Sequence, residues 1–379
     1  MLLRRADPED ETEWADVVAY MNKNTRESYN REFVRKAWPL LSMYSSAGWV
    51  RPPVGGDDRS YYEDQRLEME KERVRLRDER NELTRIKREL ARKDSMVDLW
   101  RRVVRESVVP FEPGVAPKVD RSSGDTDLIV HLTDLHAGLV IDNFVNQYDE
   151  EVLVLRLNRY LDDVREIAAR HNARNCYLLL GGDLISGAIH TPLRIEANMD
   201  TMRQVKFVSL VVSNFARGLS KSFNEVHVYS VAGNHSRLFP NKKENAKGEN
   251  LDVLIPFYMA AKLERYKNVF IYDENIEESI ANFEVRGQVV CGVHGDKDSM
   301  ESVVQKLTMF LGEKPDMVFA GHRHTNGMRT VYDSKVIESG CVSGPDNFCM
   351  DHRLQNKPEQ MVAVVGDSGL ECLYDVKLD

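Results

Sequence analysis

Residues 128–136 read Leu-Ile-Val-His-Leu-Thr-Asp-Leu-His. An apolar run of strand length stops at Thr133, and Asp134 and His136 follow two apart. Residues two apart on an extended segment point to the same side, so both side chains can reach one metal ion. The pattern recurs downstream. Tyr177–Leu180 runs into Gly181-Gly182-Asp183, Val226–Val231 leads to Gly233-Asn234-His235, Val289–Val293 to His294-Gly295-Asp296, and Met317–Ala320 to Gly321-His322-Arg323-His324. Helical stretches at Val152–His171 and Asp200–Lys221 separate several of the runs. This alternation predicts an α/β fold with a sheet covered by helices. Arg286-Gly287 reads as a hairpin turn. The runs after residue 325 alternate around Asp333-Ser334 and Asp367-Ser368-Gly369, which suggests antiparallel strands.

Parallel strands deliver their carboxyl ends to one edge, so the five loops should converge. They hold five of the ten histidines in the chain. Leaving His235 aside, two carboxylates, one amide and four imidazoles make a mixed nitrogen and oxygen donor set. Such a set suits borderline divalent metals such as Mn, Fe, Zn or Ni better than Ca or Mg. One such loop would mean little; five in this order are specific. Other residues read as structural. His131, three before Asp134, points away from it on a regular strand. Asp296 is placed to steady a ligand histidine as an outer acceptor, and His190, after the Asp183 loop, to line a substrate cleft.

The chain has 379 residues, 42% apolar and 30% charged, the balance of a globular protein. No apolar run approaches the ~20 residues of a membrane helix, so no membrane role is expected. Residues 1–10 show no signal-peptide pattern. The five cysteines form no Cys-x-x-Cys pair, which favours a reducing compartment, the cytoplasm. The net charge of -9 is unevenly spread. Residues 1–120 carry 24 basic and 24 acidic groups, and the rest carry 28 and 37. Within the first part, residues 71–105 hold thirteen basic against seven acidic groups, and residues 23–51 six against two.

These shifts divide the chain. Residues 1–56 read as a small helical module, helix-turn-helix-like, with Lys23, Arg26, Arg31, Arg35 and Lys36 available to phosphates. Residues 57–109 read as one long charged helix. Met69, Leu76, Leu83, Leu90, Val97 and Val104 fall seven apart, but the companion column is mostly charged. Residues 60–108 could therefore form a homodimeric coiled coil, bind a partner protein, or lie on the following domain. Residues 110–126, with three prolines, read as a linker, and 127–379 as the catalytic domain.

The strand-end motifs resemble those of the calcineurin-like metallophosphoesterase superfamily, over residues 127–325 by motif. That resemblance implies a two-sheet α/β sandwich flanked by helices, here preceded by the α-helical N-terminal region with its long charged helix. It implies a dinuclear metal centre, with Mn the first expectation and Fe, Zn or Ni the alternatives. Asp134, His136 and His324 would hold one ion, Asn234, His294 and His322 the other, and Asp183 both. A water between the ions would attack phosphorus in line. His235 matches the catalytic histidine that is not a ligand, serving as general acid or phosphate-positioning group. Where many members have Asp or Glu after Gly-Asn-His, this chain has Ser236-Arg237, and Arg237 becomes a candidate substrate contact. The protein-phosphatase signature Gly-Asp-x-Val-Asp-Arg-Gly is absent, since Leu184-Ile185-Ser186-Gly187 follows Asp183.

The order of motifs looks most like SbcD-type repair exonucleases, and the combination with N-terminal helices like phage-encoded DNA exonucleases. The expectation is a metal-dependent nuclease acting on DNA. The alternative is a phosphatase or phosphodiesterase for nucleotides or other small phosphoesters, which the acidic catalytic part favours.

Overall fold

The computed structural model describes residues 14–24, 28–47, 66–84, 87, 108–112, 124–189, 194–195, 197–242, 245, 248–273, 275, 277–353 and 356–379. Compactness separates two units, Met1–Met96 and Val97–Asp379.

In the first unit, α1 (Trp14–Asn24) and α2 (Arg31–Ser46) pack through Val17 and Val34, both buried, and through Trp14 and Trp38, whose rings meet edge to face at 5.7 Å. Asn30 caps α2, its side chain accepting from the Phe33 N–H at 2.8 Å. Residues 66–84 form α3, whose side chains are all exposed. Of the heptad column, Met69, Leu76 and Leu83 lie on α3, while Leu90, Val97 and Val104 lie outside the described residues.

The second unit is a sandwich of two sheets between helices. One sheet has the order β13-β12-β1-β4-β5-β6. Its strands are β1 (Thr126–Leu132), β4 (Ala173–Leu180), β5 (Val226–Ser230), β6 (Val269–Ile271), β12 (Glu359–Gly366) and β13 (Gly369–Lys377). β1, β4, β5 and β6 are mutually parallel, while β12 runs against β1 and β13 against β12. The other sheet has the order β10-β11-β9-β8-β7. It comprises β7 (Ile280–Val285), β8 (Gln288–Val293), β9 (Met317–Ala320), β10 (Gly327–Val331) and β11 (Ser334–Glu338), with β8, β9 and β11 parallel. A short hairpin, β2 (Ile141–Asp142) and β3 (Gln147–Tyr148), follows β1.

The strand pattern sorts the core. β1 is buried throughout. Leu128, Val130 and Leu132 pack toward the helices α4 (Glu150–Arg170), α5 (Thr201–Ser220) and α6 (Leu254–Lys262), whereas Ile129 packs into the layer between the sheets with Leu179, Phe283, Phe319 and Ala363. A central strand with both faces covered reads as a nearly continuous apolar run, which is why 128–132 is apolar but for His131. The outer face of the second sheet is covered by α7 (Val303–Leu311), and α8 (Asn347–His352) follows β11.

The two long helices start where their caps lie. Asp149 and Asp200 accept from the Val152 and Arg203 N–H groups. The expected turn at Arg286-Gly287 joins β7 to β8, with both residues at positive φ. The start of the expected linker is held against the sandwich. Phe111 donates its N–H to the Lys262 carbonyl at 2.9 Å and lies under the Arg217 and Lys262 cations, and the Glu112 carbonyl accepts from the Tyr266 hydroxyl. Residues 110–112 are thus anchored to the sandwich, and 113–123 lie outside the described residues.

Candidate metal centre

The strand ends bring Asp134, His136, Asp183, Asn234, His235, His294, His322 and His324 together. Three ligand-sized sets form: Asp134, His136 and His324; His136, Asp183 and His235; and Asp183, His294 and His322. Asp183 belongs to two of them. Asp134, His136, Asp183, His322 and His324 all have positive φ, half of the ten non-glycine residues so placed among those described. Such backbone is unfavourable for side-chain-bearing residues and persists where the surroundings enforce it. Here the turns aim five donors at one place.

Asp134 is fully buried. Its Oδ2 accepts from the Thr133 hydroxyl at 2.7 Å and the His322 N–H at 3.0 Å. Its Oδ1 has no hydrogen-bond partner and faces His324 Nε2 at 3.2 Å and His136 Nε2 at 3.7 Å. Those two ring nitrogens are themselves 3.2 Å apart. Asp183, also fully buried, accepts from the His235 N–H at 2.7 Å through Oδ1. Its Oδ2 has no hydrogen-bond partner and faces His294 Nε2 at 3.1 Å and His235 Nε2 at 3.9 Å. His294 Nε2 also lies 3.2 Å from Asn234 Oδ1. Two orphaned carboxylate oxygens meeting ring nitrogens is the donor set a divalent cation satisfies, because unpartnered buried charge is costly.

The electrostatics point the same way. Burial opposes charge on His294, but the Asp183 and Asp134 carboxylates outweigh it and push its pKa up to about 10. Burial likewise works against the charge on Asp134 and Asp183, and their histidine neighbours hold both below the usual carboxylate range. His322 is lowered by burial and by His294.

The outer contacts fix the rings. His294 Nδ1 lies 2.9 Å from the Gly181 carbonyl and donates to it, leaving Nε2 free to face the centre. Asp296, expected as an outer acceptor for a ligand histidine, pairs its carboxylate with Lys242 at 3.4 Å and favours positive charge on His322. His235 Nδ1 sits 3.2 Å from the Ser186 carbonyl. No carboxylate on Ser236 or Arg237 is needed to orient it. His131 is buried, bonds the Ser339 hydroxyl at 2.7 Å, and is pushed down to about 3 by burial, as a core residue. Arg237 Nε is buried without a partner, and among the described residues Arg237 joins no ion pair. His190 lies outside the described residues.

Several supporting residues carry no sequence signal. Gln360, on β12, donates to the Thr133 and Gly340 carbonyls and accepts from the Thr133 N–H at 2.9 Å. Asp252 accepts from the Gly233 N–H at 3.0 Å, while Asn250 donates to the Gly233 carbonyl at 2.7 Å. These two grip the peptide ahead of Asn234 from behind. A Cβ on Gly233 would lie 2.1 Å from the Asp183 nitrogen, so only glycine permits this approach. Burial pushes Asp252 up to about 6. No motif marks 250 or 252; a polar pair that closes on a distant glycine is visible only once the loop is folded.

A family model described as Calcineurin-like phosphoesterase matches residues 128–338. The SPbeta prophage-derived uncharacterized protein YonJ of Bacillus subtilis (strain 168) is 21% identical over 353 residues, 88% of this chain and 84% of that protein. Among solved structures, a predicted phosphoesterase from Streptococcus pneumoniae TIGR4 matches at 12% identity and TM-score 0.31, covering 67% of this chain and 91% of that one. An archaeal phosphodiesterase matches at 14% and 0.33, covering 66% and 99%. The family match spans more than half of the chain and takes in all of the His/Asp clusters. The chain belongs to the calcineurin-like phosphoesterase family, and its clusters point to a divalent-metal centre serving phosphoester hydrolysis.

Proposed function

We propose that this protein is a DNA exonuclease or phosphodiesterase working with two divalent ions, Mn first among Mn, Fe, Zn and Ni. The observation that carries the hydrolytic part is the convergence of seven strand-end residues, with Asn234 against His294, around two carboxylate oxygens without hydrogen-bond partners. Asp134, His136 and His324 would hold one ion and Asn234, His294 and His322 the other, with Asp183 common to both. Bound ions would neutralise phosphoryl charge and make a coordinated water acidic near neutral pH.

The chain's own residues supply the rest. With Nδ1–H donated to the Ser186 carbonyl, the second proton of a charged His235 sits on Nε2, the atom that faces the centre. From there it can pass to a leaving oxygen or bond a phosphoryl oxygen. Arg237, two residues on, offers a guanidinium for the substrate phosphate. The rigid turns around Asp134 and Asp183 position these groups before substrate arrives.

Nucleic acid as substrate is supported by the basic N-terminal segments and by a relative whose name places it in a prophage. In this reading 1–56 and 57–109 are the binding region, the latter also open to self-association, 110–126 the connection, and 127–379 the catalytic domain. Five free thiols suit a reducing cytoplasm. Among the described residues no helix is long and apolar enough to cross a membrane. The second reading, a small-phosphoester hydrolase, is favoured by the acidic balance of residues 121–379, which is unhelpful for a polyanion.

The test is hydrolysis by purified protein with Mn²⁺ of labelled linear duplex, single-stranded DNA and bis-p-nitrophenyl phosphate, with Asp183→Ala as control. DNA cleavage that the variant lacks supports the nuclease. Cleavage of the small ester alone moves the assignment to the second reading.

A further inference from the structure

On α3 the charges are sorted by face. At about 100° per residue, Arg66, Arg73, Arg77 and Arg80 fall within about 60° of one another, a stripe about 21 Å long. Glu68, Glu72, Asp78, Glu79 and Glu82 lie on the opposite side, and of the acidic residues only Glu70 flanks the stripe. The other two basic residues of the helix, Lys71 and Arg75, sit on the acidic side and are already paired: Lys71 with Glu68 at 2.9 Å, Arg75 with Glu79 at 3.3 Å and Glu72 at 4.0 Å. Among the described residues, none of the four stripe arginines is in an ion pair, and all four are exposed. Arg73 and Arg77 are four apart and Arg77 and Arg80 three apart, so like charges face each other along the helix and repel.

We propose that this arginine face is a docking surface for the phosphate backbone of DNA. The inference rests on the nucleic-acid reading of the substrate and adds the surface that holds it. A helix of zero net charge does not attract polyanions as a whole; sorting its charges creates one face that does. Four unpaired guanidiniums along about 21 Å match a rod of closely spaced phosphates, and an approaching anion relieves their mutual repulsion. Lys71 and Arg75, neutralised by neighbours, should contribute nothing. The apolar column Met69, Leu76 and Leu83 lies beside the stripe, so a second copy of the chain is the competing occupant.

The test measures binding without cleavage. Full-length protein in EDTA is titrated into a labelled duplex by fluorescence anisotropy at several salt concentrations. Each phosphate neutralised contributes about 0.9 to the slope of log K against log salt. The variant Arg66→Gln/Arg73→Gln/Arg77→Gln/Arg80→Gln should flatten that slope by about 3 to 4, while Lys71→Gln/Arg75→Gln leaves it unchanged. Glutamine is a comparable helix former, so α3 should persist, which circular dichroism checks. An unchanged slope in the quadruple variant, an equal loss in the control pair, or no DNA binding by the parent protein overturns the proposal. So does a quadruple variant that alters only the sedimentation behaviour of the protein. If DNA binds through the stripe but is not cut when Mn²⁺ is restored, the nuclease reading fails and the docking surface stands.

Discussion

Gly187 offers the sharpest test of how His235 is aimed. It has φ of 70°, and a Cβ built on it would lie 1.9 Å from the His235 carbonyl oxygen, where real Cβ atoms essentially never come within 3.0 Å. Gly187→Ala must therefore displace one backbone segment by more than about 1 Å. The neighbouring Ser186 carbonyl holds His235 Nδ1, so the displacement moves the ring or breaks that bond. The left-handed backbone itself costs about 1 kcal/mol for alanine, a modest loss of stability. The catalytic cost is larger, because a misplacement of about 1 Å can lower turnover on the order of 10²-fold. The His235 N–H also bonds Asp183 Oδ1 at 2.7 Å, so metal content is measured alongside turnover and the comparison is made at equal metal. The assay is kcat on bis-p-nitrophenyl phosphate for protein of known Mn²⁺ content, with a thermal melt alongside. A variant that keeps kcat within about threefold, at equal metal content, refutes the argument that this carbonyl–imidazole contact sets the aim of His235.

Two further outcomes follow from the buried carboxylates. Asp183→Asn keeps the shape but removes the charge common to two ligand sets, so calorimetric titration with Mn²⁺ should show both binding events lost; retention of one at full affinity would refute the shared role. Asp252 carries a raised pKa, about 6 against 3.8 for an ordinary aspartate, so between those values the folded chain holds a proton the unfolded chain lacks. Its contribution to stability is complete below about pH 4 and is lost as pH rises through about 6. Asp252→Asn should therefore gain, relative to the parent, about 3 kcal/mol at pH 7.5 and little at pH 4. Urea midpoints of metal-free protein at the two pH values measure it; an equal difference at both would show that the Asp252 charge is not responsible.

The eight central residues were legible in the sequence for a physical reason. A strand buried on both faces is apolar along nearly all of its length, and a parallel strand ends at an edge where polar ligands are useful. Each run such as Leu128–Leu132 or Met317–Ala320 therefore announces both its burial and its terminus, and Asp134 or His322 follows at once. Helix ends were legible to within about two residues because Asp149 and Asp200 cap locally.

Pairing was not legible, because strand partners are chosen by contacts between segments far apart in the chain. Nothing near Glu359–Gly366 says that this strand enters the sheet beside β1, 232 to 240 residues away, carrying Gln360 beneath Thr133. The same holds for Asp252 behind Gly233 and for the Ser186 carbonyl on His235. A backbone carbonyl has no sequence identity at all, so its use as an orienting group is invisible until the turn is folded. The sequence by itself determined which residues meet at the centre, since ligand type and strand end are written locally. Tertiary structure alone decided which atom of each faces the centre and what holds it there, since orientation is set by neighbours the local sequence does not name.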